Sequence, residues 1–240
     1  VVRVAPLLAL VLALTAYDAW AEHLPNVSTS WDVVFIGLVL IPATFVLLLL
    51  ALPFREELTS RRLLVLVVGL AAITILLELA GADPIANQTK FVAVALLGWW
   101  FLQFFESVGL VLLVAILITP VDIFSVARGP TKHIVEQQPQ VFDALSIAFP
   151  VLGESSSAQL GLPDVLFFSL FLAATARFAL RTLSTWVAMA LSFGTTLALA
   201  VWTDVTGLPA LPLLSAGFVL VNADLIWKAL RDRRDEPDPA

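Results

Sequence analysis

Apolar runs of about 18–22 residues recur from one end of this 240-residue chain to the other, and about 20 residues in a helix cross a bilayer core. The runs predict spans near 4–22, 32–53, 62–80, 90–106, 108–127, 164–182, 184–203 and 211–228. The expected fold is therefore all-α: a polytopic transmembrane helical bundle of about eight spans, forming one domain over 1–230. The stretch RDRRDEPDPA, 231–240, reads as a disordered cytoplasmic tail. Composition agrees, with 60% hydrophobic and 13% charged residues, well away from the soluble average. The first run is followed by no small-residue cleavage site and soluble domain, so it reads as a retained span.

Charge sets the expected orientation. The stretch from Lys90 to Ala127 is long for one helix, and Glu106-Ser107-Val108-Gly109 is its plausible break. With that break and the N-terminus inside, ten basic residues fall on the inner side and three, Lys90, Arg128 and Lys132, on the outer. A single crossing over 90–127 would give six against seven, which is no bias. Cytoplasmic loops collect Lys and Arg, so eight spans with both termini cytoplasmic is the expectation. Few lysines beside many acidic residues point to a microbial host, and hence to its plasma membrane.

Several chemistries drop out. The chain has no cysteine, which removes disulfides, thiolate metal sites and thiol nucleophiles. His23 and His133 are its two histidines, and no HExxH zinc motif is present. A net charge of −6 argues against nucleic acid as a partner. Ser155, Ser156 and Ser157 lie in a loop rather than braced on a helix start. Asp224 precedes Lys228 by one helical turn and reads as a surface pair with it. Asn26 and Asn87 are sequon asparagines in predicted outer loops.

What remains is two aspartates inside apolar runs. Asp122 ends VGLVLLVAILITPVD and Asp164 opens PDVLFFSLFLAATA. An ionisable side chain at the bilayer centre costs roughly 2.5–3.5 kcal/mol on the insertion scale, so it marks a functional site by default. The two spans are joined by one polar segment and enter the membrane from the same face. Two carboxyls at similar depth can share a proton, one acting as base and one as acid. Taken singly, each aspartate also reads as a helix cap or a partner of Arg128 or Arg177, and for Asp164 the Pro-Asp start gives that reading weight. Between them, residues 133–150 interleave apolar and polar letters, as a surface-lying helix or short strand would.

The segment from VDIFSV through QLGLPDVLFFSL to GLPALPLL resembles the presenilin and signal peptide peptidase family of intramembrane aspartyl proteases. Asp122 falls on that family's YD aspartate, Asp164 on its GxGD aspartate, and Pro209, Ala210 and Leu211 on its PAL motif. Val121 stands in place of the tyrosine and Pro163 in place of the second glycine. The resemblance covers roughly the C-terminal half. It implies hydrolysis of peptide bonds in transmembrane helices or remnant signal peptides, with Asp122 and Asp164 catalytic. Gly161, Leu162, Pro163, Pro209, Ala210 and Leu211 would contact the substrate. The implied partners are single-span membrane proteins or signal peptides within the lipid bilayer, and no metal or other cofactor is implied. The departures at Val121 and Pro163 favour the other reading, a non-proteolytic homologue that binds membrane helices or couples ions through buried carboxylates.

Overall fold

The computed structural model describes residues 4–129, 138–205 and 207–235. Nine helices and one hairpin appear among them: α1 (Val4–Trp20), α2 (Thr29–Glu57), α3 (Ser60–Leu79), α4 (Asp83–Phe101), α5 (Val108–Arg128), the short α6 (Pro139–Ala144), β1 (Ser146–Pro150), β2 (Ser157–Gly161), α7 (Leu162–Arg177), α8 (Thr182–Trp202) and α9 (Leu211–Asp235). Six of the helices, α1, α2, α3, α5, α8 and α9, are long and apolar enough to cross a membrane, as expected of an all-α membrane protein. The other two expected spans are real helices with shifted limits. Helix α4 starts seven residues before Lys90, and its polar opening DPIANQTK lowers its hydropathy. Helix α7 has 16 residues and ends at Arg177. Helix α9 runs on to Asp235, into the segment expected to be a tail.

Local chemistry explains the breaks. Ser107 caps α5, its hydroxyl accepting from the Leu110 N–H at 3.4 Å, and Thr59 caps α3 in the same way. Within α2, Pro42 has no N–H to give the preceding turn, and residues Ile36–Leu40 open into a π turn there. Pro120 lies inside α5 and leaves the Ile116 carbonyl without its helical donor, two residues before Asp122.

Helix α7 is the axis of the molecule. Val165 and every residue from Phe168 to Thr175 are buried. Phe45 of α2, Phe168 of α7 and Phe193 of α8 form one aromatic cluster, with Phe45 and Phe168 centroids 4.1 Å apart. Phe171 stacks on Phe218 of α9 at 4.7 Å. Lipid tails are as apolar as leucine, so such helices associate by close packing and hydrogen bonds rather than by water exclusion. Gly98 supplies the closest approach: a Cβ there would sit 2.5 Å from the Leu166 carbonyl oxygen. Beside it, the Ser169 hydroxyl donates to the Ala95 carbonyl at 2.7 Å. Gly37 and Gly194 let α2 and α8 cross backbone to backbone in the same manner.

Side-chain bonds fix which helix ends lie together. Arg177 donates to the Leu102 carbonyl at 2.8 Å, joining the ends of α7 and α4. Arg181 makes a two-pronged bond to Asp224, both contacts at 2.6 Å. Asp224 thus pairs with the start of α8 and not with Lys228, because its carboxylate points across to the neighbouring helix. These contacts define a basic end of the bundle; the β-hairpin and Lys90 lie at the other.

The segment between the two aspartates is the main departure from expectation. Residues 130–137, with His133 and Val135, lie outside the described residues. From Gln138 on, α6 leads into β1, which pairs antiparallel with β2, Ile147 opposite Leu160 and Phe149 opposite Ala158. Ile147, Phe149 and Leu160 are buried in the bundle core, so the hairpin is inserted rather than surface-lying. Its turn docks on the α1–α2 connection. Gly153, at a φ of 70°, donates to the Ala21 carbonyl at 2.9 Å, and a side chain there would strike the Asn26 backbone.

Candidate functional site

Strand β2 passes into α7 with no intervening loop. Gly161 ends the strand and is the residue before the first helical turn, with φ −60° and ψ 146°. Pro163 occupies the second helical position, where its missing N–H would have had no helical partner anyway. Asp164 is the third. Its carboxylate reaches back to accept from the Gly161 N–H, the return half of a capping box. A Cβ on Gly161 would lie 3.1 Å from Asp164 Oδ2. Leu162 donates to the Leu145 carbonyl at 3.0 Å, extending the hairpin ladder by one rung. The aspartate is therefore positioned by two structures at once, the helix start and the strand.

Asp122 is positioned by a different device. Its Oδ2 accepts the Leu211 N–H at 3.0 Å, across 89 residues of sequence. Leu211 opens α9 directly after Pro209 and Ala210, and its N–H is one of the donors that a helix start leaves free. Pro212 follows as the second helical residue, and Leu214 closes the turn onto the Ala210 carbonyl at 3.1 Å. Ala210 and Leu211 are buried. Thus a carboxylate on α5 serves as the N-terminal cap of α9.

The two carboxyls come to one level of the bundle. Asp164 stands 13 residues before the end of α7 and Asp122 stands 14 residues after the start of α5. At 1.5 Å per residue both lie about 20 Å from the basic end. The charge of Asp122 reaches the Asp164 carboxyl, and both residues are half-buried. Around them are gathered Gly161, Leu162, Pro163, Pro209, Ala210 and Leu211. On α5 the neighbours Val121, Ile123 and Phe124 point outward, Val121 being 66% exposed. Among the described residues, no group of three acidic or histidine side chains is placed to hold a metal.

Sequence reasoning allows a short strand within 133–150 but misses β2 and the pairing of the two strands. Leu145 bonding to Leu162 and Val151 to Ser156 fixes the pairing phase. Ile147, Phe149, Ala158 and Leu160 turn their backbone groups toward each other, while Ser146, Ala148 and Pro150 on β1 and Ser157 and Gln159 on β2 turn theirs outward. Along β2 the outward Ser157 and Gln159 groups have no backbone partner among the described residues. That edge ends at Gly161, whose N–H goes to Asp164. No protein-family model matches the chain, and no curated protein is similar to it.

Proposed function

We propose that this chain is an intramembrane aspartyl protease whose acid and base are Asp122 and Asp164. One observation carries the reading: two helix-start devices, far apart in sequence, hold two carboxyls at one level of the bundle, near enough for the charge of Asp122 to act on Asp164. In the reaction, one carboxylate takes a proton from a water whose oxygen attacks the scissile carbonyl carbon. The other carboxyl gives its proton to the carbonyl oxygen. The tetrahedral species then collapses, the C–N bond breaks, and the amine leaves with a proton from the pair. Such a pair titrates as a unit, so acid and base are roles of the dyad and not of fixed residues.

The substrate class follows from the same surroundings. A peptide bond within a helix is hidden by its own hydrogen bonds, and cleavage requires an extended segment. The outer edge of β2, where Ser157 and Gln159 have no backbone partner among the described residues, offers N–H and C=O groups for one more strand, and that strand would run past Asp164. Backbone of this kind at membrane depth survives where protein buries it or water reaches it. The substrates are single-span membrane segments or leftover signal peptides, taken by a bundle of eight spans with both termini cytoplasmic and the hairpin end outward.

The test is cleavage of single-span peptides by the purified protein in lipid nanodiscs. A peptide with a Gly-Pro interruption near its hairpin-side end should be cut faster than an uninterrupted polyleucine span of equal length. Failure to cut either peptide would leave the carboxyls with a binding or ion-coupling role instead.

A further inference from the structure

The two edges of the hairpin are treated differently. On β1 nearly every outward backbone group is occupied by a side chain from another element. The Ala148 N–H donates to Asn87 Oδ1 at 3.0 Å, and Asn87 Nδ2 donates to the Ala148 carbonyl at 2.8 Å. Lys90 Nζ donates to the Ser146 carbonyl at 3.3 Å. Tyr17 donates its hydroxyl hydrogen to the Pro150 carbonyl at 2.8 Å, and proline has no N–H to offer. One side-chain amide on α4 therefore does for Ala148 what a neighbouring strand would do.

The amide is itself held. The second Nδ2 hydrogen of Asn87 goes to Asp18 Oδ2 on α1 at 3.2 Å. With both hydrogens and the oxygen committed, only one orientation of the amide satisfies all three partners. A sequon asparagine expected in an outer loop is in fact partly buried in the second turn of α4, and its nitrogen is fully engaged.

We propose that Asn87 is a positioning residue for the aspartate dyad. It fixes β1, β1 fixes β2 through the ladder, and β2 sets Gly161 and hence Asp164. By closing the β1 edge it also confines an added strand to β2, the edge that leads to the dyad. This inference rests on the proteolytic reading in its catalytic half and on the hairpin geometry alone in its structural half.

Asn87→Leu removes all three bonds while keeping the number and branching of the side-chain heavy atoms, and Asn87→Asp keeps the acceptor for the Ala148 N–H while losing both donors. Each is compared with wild type by kcat and KM on the interrupted peptide, by mass spectrometry of the products, and by amide hydrogen exchange. Displacement of a catalytic group by about 1 Å costs on the order of 10²-fold in rate. Asn87→Leu should lower kcat by that order with KM little changed and should spread cleavage over neighbouring bonds. Exchange should quicken at residues 146–161 and not in α7, α8 or α9. Asn87→Asp should fall between. Wild-type kcat with a single cleavage position in Asn87→Leu overturns the proposal. So does a loss of activity accompanied by faster exchange throughout the bundle, which would make Asn87 a general scaffold residue. If wild type cuts nothing, the proteolytic reading fails and takes the catalytic half with it. Unchanged hairpin exchange in Asn87→Leu then refutes the structural half separately.

Discussion

Gly161→Ala separates the placement of Asp164 from the stability of the fold. The backbone at Gly161, φ −60° and ψ 146°, is one that alanine adopts without strain. Alanine narrows the unfolded ensemble, a gain of about 0.4–1 kcal/mol. Against this, alanine is a poorer residue before a helix start than glycine, a loss of about 0.5–1 kcal/mol. The two nearly cancel, so the melting temperature should stay within a few degrees. The new methyl group, however, would lie 3.1 Å from Asp164 Oδ2 and 3.5 Å from Pro163 Cδ. The proline ring is fixed by α7, so the carboxylate gives way by a few tenths of an ångström. With a loss on the order of 10²-fold per ångström of misplacement, kcat should fall by roughly 3–10-fold. The assay is steady-state cleavage of a single-span peptide beside thermal unfolding in the same detergent. Full activity with an unchanged melting temperature would refute the claim that Gly161 sets where Asp164 sits. A fall of ten degrees or more would mean that the methyl group disrupts the hairpin–helix junction instead.

Pro163→Gly restores the GxGD pattern and should lower stability by about 0.4–1 kcal/mol, read in chemical denaturation, because glycine frees the unfolded chain. Its cleavage rate should rise, since Pro163 is exposed on the rim of the site and glycine lets substrate backbone approach; a lower rate would show that the proline helps to hold Asp164. For topology, the cysteine-free chain permits single labels: Ser156→Cys should react with an impermeant thiol reagent from outside and Thr59→Cys should not. Labelling of Ser156→Cys from the cytoplasmic side alone would reverse the orientation.

The helices were legible because their apolar runs are long and continuous, and Ser107, within the stretch read as the break, caps α5. The shorter α7 was harder to delimit, since its apolar letters continue past Arg177 through Phe178, Ala179 and Leu180. Ala179 takes a positive φ there and ends the helix. The hairpin was hidden for a different reason. Its inward set is only Ile147, Phe149 and Leu160, too few to establish a two-residue period among polar neighbours. Its β1 edge is satisfied by Asn87 and Tyr17, which lie 61 and 133 residues away along the chain. The aspartates were conspicuous as charges in apolar runs. That Asp122 would cap α9 was not, because the donor is a backbone N–H and carries no letter of its own. Asp224 was misjudged on the same principle: a helical neighbour is visible in sequence, whereas the tighter partner, Arg181, belongs to another helix.

The central claim is that Asp122 and Asp164 form one catalytic unit, and single and double carboxyl-to-amide substitution tests it most directly. Asparagine keeps the side-chain shape, and its oxygen can still accept the Leu211 N–H at position 122 or the Gly161 N–H at position 164. The folded protein should therefore persist in all three variants, judged by thermal unfolding. Asp122→Asn and Asp164→Asn should each abolish cleavage of a single-span peptide. The double variant should be no worse than either, because residues that act as one unit are not additive. Cleavage near the wild-type rate in either single variant, in a protein that still unfolds cooperatively at the wild-type temperature, would contradict the account.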